Sequence, residues 1–448
     1  MASLDGLPGL ADARLLVEAL DGDPVTSIRF NLFKIAEKPE GRQVPWCRYG
    51  FYLDRRPVFT FDPAFHGGAY YVQEASSMFV EHIVRSVMGD GYVRILDLCA
   101  APGGKTTLLS SLAGLESLVV ANETVRPRAG QLADNVRRWG LGNVMVTNND
   151  PSHFSEIREF FDIILVDAPC SGEGMFRKNP SARREWSPAN VELCAARQRR
   201  ILADVWPALA PGGVLIYTTC TFNRTENEDN VSWLHERFGC EGVGIDVDPT
   251  WGIAAGETEG GVKTFRFYPG LTEGEGFFAA AVRKPDGKRR VKLPRAHREP
   301  LSEAPKQAGA AVKRWFSQPE YMQAAYAGEN VYGYYARSYA DVAALAGILS
   351  PLYSGVMAGQ LFGNSLRPSH PLALFHDLSA ADTSVAELSE EDAIRYLRKD
   401  ALPASLFEEG LNLVTCGGLP VGWLKRIGER CNNMYPTGLR VLGSPDTL

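Results

Sequence analysis

The sequence contains no run of about eighteen uncharged apolar residues, so we expect no transmembrane helix. Residues 1–5 lack the basic segment and apolar run of a secretory signal. Together, these two absences argue against the membrane and secreted classes and predict a cytoplasmic protein. With 448 residues, the chain is too long for one compact core, so we expect about two to four domains.

Metal-finger spacing is also missing. The eight cysteines form no closely spaced pair of that kind, and the seven histidines do not cluster with them, so we expect no metal site. In a reducing cytosol the cysteines should be free thiols. Any cysteine that matters for function should therefore act through its reactivity.

An excess of positive charge is absent as well, because the net charge is −6, whereas dedicated nucleic-acid binders are usually basic. One segment departs from this balance and carries Lys284, Lys288, Arg289, Arg290, Lys292 and Arg295. Such a run can follow phosphates, but it is more often a solvated linker. Since the same segment is rich in proline, we favour the linker interpretation.

Apolar strands alternate with helical patterns between residues 95 and 282. We expect strands at 93–98, 118–122, 144–147, 161–166, 214–217 and 277–282. Helices should begin near residue 106, run through 132–139, and extend from about 190 to 209, where residues 211–213 (Pro-Gly-Gly) should end the last one. This alternation predicts an α/β fold with a parallel sheet covered by helices on both faces.

The loop after the first predicted strand consists mostly of small residues, and ligands of such sheets bind beyond the carboxyl ends of the strands. It contains Cys99, Ala100, Ala101, Pro102, Gly103, Gly104 and Lys105. A phosphate-binding P-loop would need glycine in place of Cys99, and the dinucleotide fingerprint is missing. The loop could be a plain tight turn and Glu123 a solvated carboxylate. However, an acid at the next strand end can hold a ribose, so the loop and Glu123 together favour a nucleoside cofactor.

Two cysteines follow two further strands, at Cys170 and Cys220, and Asp167 precedes the first. Either thiol could be inert packing, but two at adjacent strand ends favour a reactive pair. A thiolate that adds to carbon 6 of cytosine makes carbon 5 nucleophilic toward a methyl donor. Asp167, protonated or as a hydrogen-bond partner, would offset charge near ring nitrogen 3. Spacing alone does not say which thiol attacks.

These motifs resemble the nucleolar-protein/Sun family of RNA cytosine-5 methyltransferases. The matching segments are residues 97–105, 167–174, 219–221 and 226–228, together with 70–78 and 274–278. Residues 27–31 look like the family's N-terminal RNA-contacting motif. At residues 266–270 the chain departs from relatives that often carry a histidine after the proline, and we expect no loss of chemistry there.

The resemblance implies a Rossmann-like methyltransferase core that uses S-adenosylmethionine. The cofactor would be held by the loop from Cys99 to Lys105 and by Glu123, Asp150 and Asp167. Cys220 would be the nucleophile, and Cys170 would aid release of the product.

At the C-terminal end, residues 418–426, 432–433 and 435–436 resemble the PUA-like RNA-binding end of the bacterial small-subunit rRNA methyltransferase F group. We therefore expect RNA, most of all small-subunit rRNA, as the partner. The expected regions are an RNA-contacting region (1–85), the methyltransferase core (86–284), a basic linker (285–311) and a C-terminal RNA-binding region (312–448). The alternatives are a tRNA methyltransferase and a catalytically silent assembly factor, although the intact cysteine pair argues against silence.

Overall fold

The structure is a computed structural model that describes residues 7–35, 40–297, 299–363 and 365–443. Residues 1–5, on which the expected absence of a secretory signal rests, lie outside these ranges. Within them, no helix is both long and apolar enough to cross a membrane.

The N-terminal region forms a small antiparallel sheet in the order β2-β1-β3. Its strands are β1 (Thr26–Phe30), β2 (Gly50–Leu53) and β3 (Tyr70–Val72). The helices of this region are α1 (Ala13–Leu20), α2 (Pro63–His66) and α3 (Phe79–Val87).

The central region alternates strands and helices. Its strands are β4 (Arg94–Asp97), β5 (Leu118–Asn122), β6 (Val144–Thr147), β7 (Phe161–Asp167), β8 (Leu209–Thr219), β9 (Glu241–Gly242), β10 (Ala254–Glu257), β11 (Lys263–Phe267) and β12 (Phe277–Arg283). Its helices are α4 (Gly104–Leu112), α5 (Arg126–Trp139), α6 (Pro180–Glu185), α7 (Pro188–Val205) and α8 (Glu228–Phe238).

The C-terminal region adds further sheets, one in the order β13-β14-β15-β17-β18 and one in the order β19-β20-β21-β22. Its strands are β13 (Ser302–Glu303), β14 (Met322–Ala327), β15 (Asn330–Tyr335), β16 (Pro351–Ser354), β17 (Val356–Phe362), β18 (Ser365–Pro368), β19 (Ser384–Glu387), β20 (Gly410–Cys416), β21 (Leu419–Ile427) and β22 (Arg430–Asn433). Its helices are α9 (Lys306–Lys313), α10 (Tyr339–Ile348), α11 (His370–Ala373) and α12 (Glu390–Arg398).

The central sheet runs in the order β10-β11-β12-β8-β7-β4-β5-β6-β16. Strands β8, β7, β4, β5 and β6 are parallel, and the strand order reverses between β4 and β7. This is the Rossmann-like arrangement, so the expected α/β fold class is confirmed. The outer strands are antiparallel, which the alternation of strands and helices did not indicate.

Successive residues of the parallel strands point to opposite faces of the sheet. Ile95 joins a buried cluster that includes residues of α3, α4 and α5, and Leu96 joins one that includes residues of α7 and α10. The sheet is therefore packed on both faces, and α10 of the C-terminal region covers part of one of them.

The segment from Pro211 to Gly213 does not end a helix, as the sequence had led us to expect. Helix α7 already ends at Val205, and these residues lie within β8. Opposite β7, Phe161 pairs with Leu209 but Ile163 pairs with Val214, so residues 210–213 form an irregularity in the strand. Gly212 takes a φ of 72°, which permits this bulge.

The C-terminal region completes the edge of the central sheet. β16 pairs antiparallel with β6, and Ser350 N donates to Asn149 Oδ1 at 2.8 Å. The expected boundary between residues 311 and 312 stays a prediction, although α9 spans it. Part of the basic run packs on the core, since Arg289 Nη1 lies 2.5 Å from Asp162 Oδ1 and Lys284 Nζ donates to the carbonyl of Leu209 at 2.7 Å.

If α10 stabilises the central sheet, Leu345→Ala should lower the free energy of unfolding by about 2–5 kcal/mol. Leu345 is 0% exposed, so the change leaves a cavity against the sheet. Leu442→Ala makes the same substitution at a side chain that is 71% exposed and should change stability by less than about 0.5 kcal/mol. Urea denaturation measures both, and equal effects would contradict the packing role of α10.

Candidate active site

The loop that follows β4 packs closely against its neighbours. Gly103 has a φ of 113°, in the left-handed region that favours glycine, and α4 begins at the next residue. A Cβ at Gly103 would lie 3.1 Å from Leu132 Cδ1, and one at Gly104 would lie 3.3 Å from Tyr71 Cε1. The glycines are therefore needed for the loop's own packing, besides any ligand that approaches it.

Arg29 contacts the start of α4 from the N-terminal sheet. It is 2% exposed, and its Nη2 donates to Thr107 Oγ1 at 2.6 Å and to the carbonyl of Gly104 at 3.2 Å. Burial lowers the pKa of Arg29 to about 10. Ser27 and Asn31 are buried as well. All three polar side chains of the motif that resembles an RNA-contacting one are therefore buried, and Arg29 supports the loop from inside.

Asp97 ends β4 and is completely buried. Thr106 Oγ1 donates to its Oδ2 at 2.6 Å, whereas its Oδ1 has no hydrogen-bond partner among the described residues. Burial raises the pKa of Asp97 to about 7. Asp97 also lines a cavity of about 340 Å³, which we call the Lys105 cavity after another residue of its wall. A ligand donor in this cavity would satisfy the buried oxygen, which otherwise costs free energy.

A second cavity, of about 500 Å³, extends over the ends of β5 and β6; we call it the Glu123 cavity. Glu123 is buried, and its Oε1 accepts from Val125 N at 2.9 Å while its Oε2 lies 3.4 Å from Arg128 Nη1. Asp150 is exposed, and its Oδ1 accepts from Ser152 N at 3.0 Å. Two acids at neighbouring strand ends thus border one cavity.

Most of the predicted site residues line one or both of these two cavities. The Lys105 cavity is lined by Cys99, Ala100, Ala101, Pro102, Gly104, Lys105, Asp167 and Cys220. The Glu123 cavity is lined by Cys99, Ala101, Glu123, Asp150, Asp167, Cys170 and Cys220. Gly103 borders neither of these two cavities, and its role is to begin α4. Cys99, Ala101, Asp167 and Cys220 border both cavities and so lie where two ligands would meet.

The two thiols are in contact. Cys170 Sγ lies 3.1 Å from Cys220 Sγ, and either sulfur can be the donor. The hydrogen bond to Cys220, together with burial, raises the pKa of Cys170 well above its ordinary value. Cys170 is therefore a protonated thiol at neutral pH, able to donate to the sulfur of Cys220.

Asp167 lies between the cysteine loops and residues 99–105, the loop after β4 that the sequence predicts to hold the cofactor and that we call the cofactor loop. Its Oδ2 accepts from Lys105 Nζ at 2.8 Å, and its Oδ1 accepts from Thr218 Oγ1 at 2.7 Å. Burial opposes the charge of Lys105, but the Asp167 carboxylate outweighs it, so the pKa of Lys105 lies above its ordinary value. An ammonium group is thereby fixed on the lining of the cavity that Cys220 also borders.

Two buried carboxylates hold the cysteine loops. Glu226 accepts from Ser171 N at 3.0 Å and from Gln198 Nε2 at 2.7 Å. Glu173 accepts from Phe222 N at 2.7 Å and from Asn223 N at 2.8 Å. Both lie in the quoted motifs, but sequence reasoning gave them no role. Each acid joins the loop of one cysteine to that of the other.

Residues 266–269, in the segment where the sequence is expected to depart from the family pattern, are buried, whereas Gly270 is exposed. Arg266 is buried and pairs with Glu228, and its Nη1 donates to the carbonyl of Phe222 at 2.6 Å. Tyr268 is buried too, and its hydroxyl donates to the carbonyl of Pro8 at 2.9 Å. Arg266 thereby stabilises the end of the Cys220 loop, and Tyr268 holds the N-terminal segment against it.

Three family descriptions match successive parts of the chain. "N-terminal domain of 16S rRNA methyltransferase RsmF" matches residues 6–75, "16S rRNA methyltransferase RsmB/F" matches 89–283 and "Methyltransferase RsmF PUA domain" matches 383–441. Over 443 residues, the chain is 32% identical to ribosomal RNA small subunit methyltransferase F of Cronobacter sakazakii, which covers 92% of this chain and 89% of that protein. The chain belongs to the ribosomal RNA small subunit methyltransferase F family.

Other relatives agree with this family assignment. The methyltransferase F of Escherichia coli (strain SMS-3-5 / SECEC) is 32% identical over 446 residues, covering 92% of this chain and 90% of that protein. A solved methyltransferase homolog from Pyrococcus horikoshii superposes with a TM-score of 0.52 and 30% identity, covering 61% of this chain and 90% of that one. The expected family and enzyme class are confirmed, as is the PUA domain at the C-terminal end.

The buried Asp97 should make stability depend on pH in cofactor-free protein. Because its pKa is raised to about 7, its contribution to stability is present below pH 4 and is lost as the pH rises through 7. Relative to Asp97→Asn, the wild-type free energy of unfolding should therefore fall by on the order of 1 kcal/mol per pH unit between pH 5 and 7.

Urea denaturation at several pH values measures this difference. Asp150→Asn is the matched control, because Asp150 is exposed and the hydrogen bond from Ser152 N lowers its pKa. Its profile should therefore parallel the wild type above pH 5. Parallel profiles for Asp97→Asn and the wild type would contradict the assignment.

Proposed function

We propose that this chain transfers a methyl group from S-adenosylmethionine to carbon 5 of a cytosine in small-subunit ribosomal RNA, with Cys220 as the covalent nucleophile. The observation that carries the proposal is the contact between the two cysteine sulfurs on the boundary of two cavities. The relatives, which are ribosomal RNA small subunit methyltransferases, support the substrate. A cytoplasmic location, expected from the sequence, is part of the same proposal.

The residues present fit S-adenosylmethionine. Glu123 and Asp150 would hold the adenosine part in the Glu123 cavity, and the partnerless Oδ1 of Asp97 offers an acceptor to a ligand donor in the adjoining Lys105 cavity. Gly103 and Gly104 allow the cofactor loop to pack closely against its neighbours. When bound, the cofactor supplies an electrophilic methyl group on a sulfonium.

Cys220 begins the reaction on the cytosine. Its thiolate adds to carbon 6, a sulfur–carbon bond forms, and the electron pair of the 5,6 double bond makes carbon 5 nucleophilic. Negative charge then builds up on the ring, and the Lys105 ammonium beside Asp167 is placed to offset it. Asp167 already accepts from Lys105 and Thr218, so it acts as a hydrogen-bond partner rather than as an acid.

Cys170 acts at the end of the reaction. After carbon 5 has gained the methyl group, a base from solvent takes up its proton, and the electron pair of that C–H bond restores the 5,6 double bond. The bond from carbon 6 to sulfur breaks in the same step, and its electron pair returns to Cys220 as a thiolate. The thiol of Cys170 lies 3.1 Å from that sulfur and can donate a hydrogen bond to the departing thiolate. Cys170 would thereby stabilise the leaving group and free the product.

The PUA domain would position the RNA. Lys425 on β21 and Arg430 on β22 are exposed on paired strands. Arg426 is instead used internally, because its Nη1 donates to the carbonyl of Phe407 at 2.6 Å. Exposed basic side chains such as these can contact phosphates, and phosphate contacts orient a nucleic acid without reading its sequence.

Cys220→Ala should abolish methylation, because no thiolate is left to activate the base, whereas Cys170→Ala should accumulate a protein–RNA adduct that survives denaturation. Bisulfite sequencing of small-subunit rRNA and of tRNA after incubation detects the product, and denaturing gels detect the adduct. Cys194→Ala, at a buried cysteine outside the pair, should retain activity. An adduct trapped by Cys220→Ala would reverse the two roles, and methylation of tRNA alone would contradict the proposed substrate.

Glu123→Ala should weaken S-adenosylmethionine binding by about 1.5–3 kcal/mol, the range for hydrogen bonds to a charged group. Isothermal titration calorimetry measures the change. Glu259→Ala removes an exposed carboxylate from the turn between β10 and β11 and should leave the affinity unchanged. An unaltered dissociation constant for Glu123→Ala would mean that this acid does not hold the cofactor.

A further inference from the structure

A third cavity, of about 650 Å³, lies between the N-terminal region, the cofactor loop and α5. We call it the arginine cavity, and it is lined by Arg56, Pro57, Val58, Phe59, Thr60, Phe65, Tyr71, Val72, Pro102, Gln131, Asn135 and Arg138. Tyr71, Val72 and Pro102 also line the Lys105 cavity, so the two spaces adjoin. The arginine cavity is therefore next to the place where the target base would react.

The lining is positively charged. It contains two arginines and no carboxylate. Arg138 Nη2 donates to the amide oxygen of Asn135 at 2.7 Å, and its guanidinium lies 4.0 Å from the ring centroid of Phe65. Arg56 lies 5.4 Å from the ring centroid of Phe59. In the described ranges neither arginine has a carboxylate partner, and since Arg138 is partly buried, an anion beside it would offset the cost of its desolvation.

The rest of the lining suits a nucleobase. Phe59 and Phe65 are half-buried, and Tyr71 presents a third ring. Aromatic rings and arginine planes are the surfaces on which unpaired bases stack. Thr60 and Gln131 are exposed and provide polar groups that can bond the edge of a base. The volume lies in the range of about 300–1,000 Å³ found for sites of small organic ligands.

We propose that the arginine cavity binds an unpaired nucleotide of the substrate RNA that neighbours the methylated cytosine, with Arg56 and Arg138 on its phosphate and the aromatic rings on its base. The proposal rests on the proposed function, because a cytosine that leaves the stack to react draws the adjoining backbone toward the protein. The two adjoining cavities would then hold two successive nucleotides of one strand.

Full-length Arg56→Ala and Arg138→Gln should each raise the KM for small-subunit rRNA from cells that lack the enzyme by about tenfold, since each loses a charged hydrogen bond. Each should also reduce the salt dependence of RNA binding by about one phosphate contact. The affinity for S-adenosylmethionine should not change. Arg55→Ala is the matched control, because Arg55 is an exposed neighbour outside the lining, and its KM should stay within twofold.

Ultraviolet cross-linking of wild-type protein to rRNA provides a measurement that does not depend on the folding of a variant. It should join RNA to peptides that contain Phe59, Phe65 or Tyr71. Methylation by the wild type is measured first, and its absence would overturn the proposed function itself. With methylation present, unchanged KM and salt dependence, an equal loss in Arg55→Ala, or cross-links only outside the cavity would overturn the nucleotide site alone.

Discussion

Parallel pairing of β7 with β8 is the constraint on which the active site depends. The register aligns Asp167 with Thr218, so the segments that follow the two strands leave the sheet side by side. This brings Cys170 and Cys220 into contact. Glu173 and Glu226 then accept hydrogen bonds across the two loops. Because a buried carboxylate is costly without its donors, each loop stabilises the conformation of the other.

The end of α5 connects the three regions of the chain. Asn31 Nδ2 donates to the carbonyl of Trp139 at 2.9 Å, Lys34 Nζ donates to that of Arg138 at 2.9 Å, and His376 N donates to that of Gly140 at 3.0 Å. The carboxyl end of a helix leaves such carbonyls unpaired and favours a cation nearby. The same helix contacts the cofactor loop through Asn135, whose Nδ2 donates to the carbonyl of Pro102 at 2.7 Å, so the loop is held by a helix that both flanking regions fasten.

Features with a local signal could be predicted from the sequence. β5 and β6 have the expected bounds because buried parallel strands are continuous apolar runs, and the loops at the strand ends converge because parallel strands share a direction. Features that depend on distant partners could not. The motif around Arg29 does not indicate that this side chain is buried and donates to Thr107. Residues 211–213 have the composition of a helix stop, although pairing with β7 makes them part of a bulge. The burial of Asp97 likewise follows from packing that a linear motif does not contain.

Because β16 pairs with β6 but comes late in the chain, the central sheet is completed only late in synthesis. By the time residue 285 has been synthesised, the active-site cysteines and carboxylates and the cofactor loop are all present. Strand β6, however, still lacks its outer neighbour β16. An unpaired strand edge is a template for pairing with other chains. At about 5–20 residues per second, on the order of ten to forty seconds separates the synthesis of β6 from that of β16. The nascent chain therefore has its reactive groups before its finished sheet, and the outer edge of β6 stays unpaired by β16 until that strand is made.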